Sequence, residues 1–196
     1  MRFIVIDGID GAGKSTMAKL LAKYLAKKNF KVFITHEPCK NTKIGKKIKE
    51  LVRKNKKFSK EFWITLFNQD RIEHIENIIK PKLNMGYIVI SDRYYYSTLA
   101  YQLNEKNWKK YLDRNKFLKP DLVFILDVYP SIGLNRIKRK KTIFEKEKFL
   151  EKVRKKFLLI YKKRKILDEN IYLIDANQPK TKVFLDIKKI IDNFIK

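Results

Sequence analysis

Apolar residues along the chain fall into short unbroken runs, and between the runs they recur at helical spacing. The runs at 3–6, 31–35, 87–91, 122–126 and 171–174 read as strands. They are continuous rather than alternating, so each strand is expected to be covered on both faces. The stretches 15–28, 44–54, 60–80, 130–139, 146–168 and 181–195 read as helices. Strands that alternate with helices imply crossover connections and hence parallel pairing. The expected architecture is a three-layer α/β fold, a five-stranded parallel sheet with helices on both faces. Such folds hold ligands at the carboxyl ends of their strands. No Gly/Ser-rich or Pro-rich linker and no repeat interrupts the pattern, so residues 1–196 are expected to form a single domain. The basic stretch Lys138-Arg139-Lys140-Lys141-Thr142, between two helices, marks a small lid over about residues 138–147.

The first run leads straight into Gly8-Ile9-Asp10-Gly11-Ala12-Gly13-Lys14-Ser15-Thr16. Residues 8–15 match G-x-x-x-x-G-K-[ST], with a strand before and a helix after, which is the context a P-loop requires. Glycines let backbone N–H groups turn inward around phosphates, and the helix N-terminus adds positive potential. Lys14 is expected to reach the β- and γ-phosphates, with the Ser15 hydroxyl on Mg²⁺. The segment predicts a P-loop NTPase fold that binds ATP or GTP through residues 8–16. Asp92, just beyond the third run, is the second candidate for Mg²⁺, directly or through water. Its alternative is to cap the helix that follows.

A P-loop also fits GTPases, motors and ABC-type ATPases, but neither an N-K-x-D base-reading motif nor an ABC-type signature is present. Three other segments stand out: Leu66-Phe67-Asn68-Gln69-Asp70-Arg71, Asp92-Arg93-Tyr94-Tyr95-Tyr96-Ser97-Thr98-Leu99-Ala100-Tyr101-Gln102, and Thr35-His36-Glu37-Pro38. Together with the P-loop they resemble the thymidylate kinase family, and the resemblance extends over essentially the whole chain. In that family the segments correspond to an L-F-x-x-x-R helix, a D-R-[YH]-x-x-S-x-x-A-Y-Q signature and a T-R-E-P loop. The resemblance implies that the γ-phosphoryl of ATP moves to dTMP, giving dTDP and ADP on the way to dTTP. It also implies that Phe67 stacks on the thymine and Arg71 donates to a base carbonyl. The two are four apart and share a helix face. Arg93 would bind the acceptor phosphate and support the transferring group, Thr98 would address the base, and Tyr101 would fill the space of a ribose 2′-hydroxyl. Glu37 and Pro38 would line the acceptor site. Asp10 would face the acceptor sugar and the metal region.

The chain departs from the family at several points. His36 stands where the T-R-E-P loop has arginine, which removes a guanidinium from that loop, and His36 is given no catalytic role. Residue 11 is Gly where some members carry arginine, a loss that in the family accompanies an arginine supplied by the lid. The lid here reads Lys141-Thr142-Ile143-Phe144-Glu145, without the family's arginine before Phe-Glu. Arg136 and Arg139 remain in the preceding helix, and Arg139 is the residue assigned to the γ-phosphate. Tyr95 and Tyr96 are expected as core packing and Asp127 as structural. Asp175-Ala176-Asn177-Gln178-Pro179 is expected to lie over the adenine.

Charge adds one competing reading. Forty-seven Lys and Arg against 21 Asp and Glu give a formal charge of +26, which attracts polyanions. The lysines are spread over nearly every helix and no nucleic-acid-binding motif accompanies them, so no specific nucleic-acid partner is expected. The alternatives to dTMP are another nucleotide or nucleoside as acceptor, or a nucleic-acid-stimulated P-loop ATPase. A single cysteine, Cys39, leaves no intrachain disulfide. The first apolar run is too short for a signal peptide, and no run approaches the roughly 20 apolar residues of a membrane span. A cytoplasmic protein with no membrane partner is expected, and family resemblance implies a homodimer.

Overall fold

Continuous apolar strands must be roofed on both sides, and the computed structural model, which describes residues 2–138, 142–167 and 169–195, meets that demand. The elements are β1 (Arg2–Gly8), α1 (Lys14–Lys27), β2 (Val32–His36), α2 (Lys43–Arg53), α3 (Lys60–His74), α4 (Lys80–Asn84), β3 (Ile88–Asp92), α5 (Tyr95–Tyr101), α6 (Trp108–Asn115), β4 (Leu122–Asp127), α7 (Pro130–Asn135), α8 (Glu147–Lys162), α9 (Arg164–Leu167), β5 (Ile171–Asp175) and α10 (Lys180–Phe194). The five strands pair in the order β2-β3-β1-β4-β5, every pair parallel. β1 and β4 are buried nearly end to end, as expected for strands covered on both faces. Helices α1 and α10 form one packed group against the sheet, and α5, α7 and α8 form another.

Register brings the chemistry to one edge. His36 and Ile6 pair with Asp92, Gly8 pairs with Leu126, and Asp127 pairs with Asp175. The loops that leave these positions therefore open on the same rim, where a doubly wound sheet holds its ligands.

Three helical stretches differ from expectation. The helix expected over 60–80 changes register into a π-turn at Ile75–Ile79 before continuing as α4. Pro81 has no N–H for the carbonyl of Asn77 and its ring crowds that carbonyl, so a wider turn relieves the clash. The stretch expected to run to 139 ends at Asn135, and the one expected over 146–168 breaks after Lys162. Helix α6 was not expected; its buried Trp108 and Tyr111 sit one turn apart, and the Trp108 indole donates to the Leu99 carbonyl at 3.1 Å.

The P-loop is braced from outside its own motif. Gly11 has φ +78°, and a Cβ there would lie 2.0 Å from the Gly133 carbonyl oxygen of α7. A Cβ on Gly133 would in turn sit 2.7 Å from the Asp10 carbonyl oxygen. The two backbones touch, and only glycines allow it. Gly133→Ala is expected to push the P-loop off its support, lowering stability by about 1–3 kcal/mol in denaturant unfolding and raising KM for ATP.

Candidate active site

Asp7, at the end of β1, is wholly buried and organises the rim. Its carboxylate accepts from the backbone N–H of Gly8 at 2.8 Å, Tyr94 at 3.1 Å and Ser97 at 3.0 Å, and from the Ser97 hydroxyl at 2.8 Å. It thereby caps α5 from a different element, since the Tyr94 side chain makes no cap. Burial pushes the Asp7 pKa up, against the pull of Arg93 and Lys14.

Between β3 and α5 the backbone turns at Arg93, whose φ of 76° is unusual for a residue with a side chain. That turn aims the guanidinium back at the P-loop. Its Nη1 donates to the Gly8 carbonyl at 3.2 Å and the Ser97 hydroxyl at 2.9 Å, and its Nη2 to Asp10 at 2.6 Å. Tyr101 donates to the other Asp10 oxygen at 3.0 Å and offers its ring to Arg93, 5.6 Å from the centroid. Burial raises the Asp10 pKa, but Arg93, Lys14 and the Tyr101 hydroxyl outweigh it and hold the carboxylate below its ordinary value. Burial, and then the nearby Asp10, push the Tyr101 phenol well above its usual pKa, so it stays a donor.

Lys14 is buried and donates to the Ile9 carbonyl at 2.8 Å within its own loop. Burial and the Arg93 charge lower its pKa, while Asp10, Asp92 and Asp7 pull it upward. The Ser15 hydroxyl donates to Asp92, so these two oxygen groups stand side by side at the mouth of the loop. Among the described residues no group of three or more His, Cys, Asp or Glu side chains is placed to hold a metal ion. A pair of hard oxygens suits Mg²⁺, which binds through one or two protein groups and takes its remaining ligands from phosphates and water.

The second centre is Arg71, only 1% exposed. Its Nε and Nη2 donate to the same oxygen of Glu37, at 2.9 and 2.7 Å. Nη2 also reaches Thr98 at 3.3 Å, and Nη1 reaches the Tyr111 hydroxyl at 3.2 Å. Burial alone would lower the guanidinium's pKa, but Glu37 and Tyr111 outweigh it and the net shift is upward. The other Glu37 oxygen faces His74 Nδ1 at 3.4 Å, and His74 Nε2 faces Thr35 at 2.6 Å. Asp70 fixes the loop that carries Glu37 and Pro38: it accepts from the Cys39 N–H at 2.8 Å and from Thr42, whose hydroxyl caps α2.

Two cavities open on this rim. One, of about 500 Å³, is lined by Phe67, Arg71, Thr98, Tyr101, Pro38 and Phe144, among others. The other, of about 600 Å³, is lined by P-loop residues from Asp10 to Thr16 together with Asp92, His36 and Arg136. Asp10, Glu37 and Arg93 line both and form the wall they share. The structure thus gathers Phe67, Arg71, Thr98 and Tyr101 in one cavity and Gly11, Gly13, Lys14, Ser15, Thr16 and Asp92 in the other. Gly8, Ile9 and Ala12 carry the loop backbone between β1 and α1, Ile9 and Ala12 being buried. Arg139 lies outside the described residues. Arg136 donates to the Ala176 carbonyl at 3.1 Å and the Gly11 carbonyl at 3.5 Å, tying the loop after β5 to the P-loop. Asp127 holds Arg154 through two bonds of 2.6 and 2.8 Å.

Sequence reasoning missed Asp7, Tyr111 and His74. Asp7 had a signal, since an acid that ends an otherwise apolar strand is buried and needs partners. Tyr111 had none, because α6 itself was not expected.

The comparisons with known proteins agree with this geometry. The family model described as thymidylate kinase matches residues 6–187. A probable thymidylate kinase of Thermococcus kodakarensis is 44% identical over 171 residues, covering 80% of this chain and 82% of its own. One from Archaeoglobus fulgidus is 38% identical, covering 98% and 95%. A thymidylate kinase of Thermosipho melanesiensis is 39% identical over 98% of both chains. Over nearly its whole length, then, the chain belongs to the thymidylate kinase family.

Proposed function

We propose that the chain transfers the γ-phosphoryl group of ATP to dTMP, giving dTDP and ADP in the synthesis of dTTP. The observation that carries this reading is the pair of cavities that share Asp10, Glu37 and Arg93 as a wall. Phosphoryl transfer needs two anionic substrates in line with cationic groups at the junction, and little covalent help. The P-loop cavity takes ATP, with Lys14 on its phosphates. The aromatic-lined cavity takes the nucleotide acceptor, with Phe67 against the base.

Arg71 sets the choice of base. Glu37 takes its Nε–H and one Nη2–H, Thr98 the other Nη2–H and Tyr111 one Nη1–H, so a single Nη1–H is left to offer. A lone fixed donor pairs with a carbonyl oxygen, as thymine presents, and rejects an amino group. Tyr101, its hydroxyl held by Asp10, would exclude a 2′-hydroxyl with its ring. Arg93 bridges the cavities and steadies the transferring group. The acceptor phosphate is already a nucleophile, so no general base is required.

Ser15 and Asp92 would hold Mg²⁺, which, when bound, neutralises phosphate charge. The segment at about 138–147, of which residues 139–141 lie outside the described residues, is the one we assign as the lid. Thr142, Phe144 and Glu145 already line the acceptor cavity, and Phe144 packs edge-on against Trp63 with centroids 5.4 Å apart. A cytoplasmic homodimer is the assembly we infer from family resemblance.

An acceptor panel tests the reaction. With ATP and Mg²⁺, ADP release is expected to be fastest with dTMP and slower with dUMP, dCMP, thymidine and AMP; equal release without any acceptor, or only with RNA, would refute the proposal. Chelation by EDTA should abolish turnover and added Mg²⁺ restore it. Arg71→Lys keeps a cation beside Glu37 but loses the planar fork, so KM for dTMP should rise about tenfold or more while KM for ATP stays within twofold.

A further inference from the structure

Of the groups that hold Arg71, Glu37 can only accept, whereas the Tyr111 hydroxyl can donate or accept. Whether Tyr111 steadies the guanidinium therefore depends on where its own proton goes. The answer starts at a backbone carbonyl, a group that cannot donate. Asn115 Nδ2 donates to the Tyr111 carbonyl at 2.7 Å, which orients the Asn115 amide. The Asn115 oxygen then accepts from Asn68 Nδ2 at 3.1 Å, which orients Asn68. The Asn68 oxygen in turn takes the Tyr111 phenol proton at 2.5 Å.

These bonds close a ring that begins and ends on Tyr111, with every proton running the same way. The phenol oxygen is left with only lone pairs for Arg71 Nη1, 3.2 Å away. Burial raises the Tyr111 pKa, against the Arg71 charge and a bond from Thr98, so the phenol keeps the proton that the ring needs. Asn68 stands three residues before Arg71 on one face of α3, and Tyr111 and Asn115 stand one turn apart on α6. None of the three lines the aromatic cavity, so the ring meets a bound base only through Arg71.

Resting on the dTMP kinase reading, we propose that the ring of Tyr111, Asn68 and Asn115 sets the preference for a carbonyl over an amino group at position 4 of the acceptor pyrimidine. By taking one Nη1–H it locks the guanidinium in the orientation that offers its last N–H to the base. Tyr111 is thus a positioning residue that acts through Arg71. Without its hydroxyl a second Nη1–H loses its partner, and the guanidinium can turn away from an amino group that it otherwise opposes.

The test is the ratio of kcat/KM for dUMP to that for dCMP, measured on the full chain. Both lack the thymine methyl, and they differ in the carbonyl or amino group at position 4 and the N3 proton that goes with it. Tyr111→Phe keeps the ring that packs 6.0 Å from Phe117, so the fold is retained. It should narrow the dUMP to dCMP ratio about tenfold or more, with KM for ATP within about twofold. Asn68→Asp keeps an acceptor for the phenol proton and should preserve the ratio, whereas Asn68→Leu removes that acceptor and should narrow it. Trp108→Phe is the structural control: it loses the bond from α6 to Leu99, so Tm should fall while the ratio stays unchanged. An unchanged ratio in Tyr111→Phe, equal ratios in the two Asn68 variants, or a ratio narrowed as much by Trp108→Phe would overturn the proposal. So would a wild type that uses dCMP as well as dUMP. A wild type that prefers dUMP to dTMP would sink the dTMP reading alone, because the dUMP to dCMP ratio still decides the ring.

Discussion

The carboxylate of Asp7 accepts hydrogen bonds from both sides of the reaction site, and the site's geometry follows from that placement. It fixes the first residue of the P-loop through Gly8 and the start of α5 through Tyr94 and Ser97. A charged group with no exposure is tolerated because its oxygens are saturated and Arg93 and Lys14 stand nearby. The benefit is rigidity. The P-loop and the helix that lines the aromatic cavity cannot shift independently, so the two proposed substrate cavities keep one fixed relation.

The same logic governs the acceptor side. Arg71 is surrounded by Glu37, Thr98, Tyr111 and the rings of Tyr94 and Phe117, 5.5 and 5.1 Å away. A guanidinium so enclosed has one orientation, and this converts a flexible side chain into a fixed polar contact. His74 and Asp70 extend the framework to β2 and to the loop before α2, so neighbouring residues of α3 hold both against the wall of the aromatic cavity. The buried pair is weak evidence for stability, since desolvation offsets much of its attraction. Under the proposed function its contribution is to specificity.

Much of this was legible in the sequence, for identifiable reasons. The strands declared themselves because parallel strands buried on both faces leave unbroken apolar runs such as Phe3-Ile4-Val5-Ile6. The P-loop was legible because phosphate binding dictates residue type at fixed spacing. Phe67 with Arg71, and Thr98 with Tyr101, were recognisable as pairs on helix faces and now line one cavity. What stayed hidden depended on contacts across the chain. Gly133 belongs to no motif, and its need appears only where α7 meets Gly11. The π-turn depended on how Pro81 would be absorbed in a helix that continues past it.

The aromatic cluster on the acceptor wall gives the molecule an optical property. The chain has two tryptophans. Trp63 is buried against Phe67, which lines the aromatic cavity, and against Phe144, which belongs to the segment proposed as the lid. Trp108 is held beneath α5 by its bond to Leu99, away from either cavity lining. Emission from Trp63 therefore follows the local environment of the acceptor wall over a constant background from Trp108. The native chain carries its own fluorophore for stopped-flow work on the proposed closure, with no label to introduce.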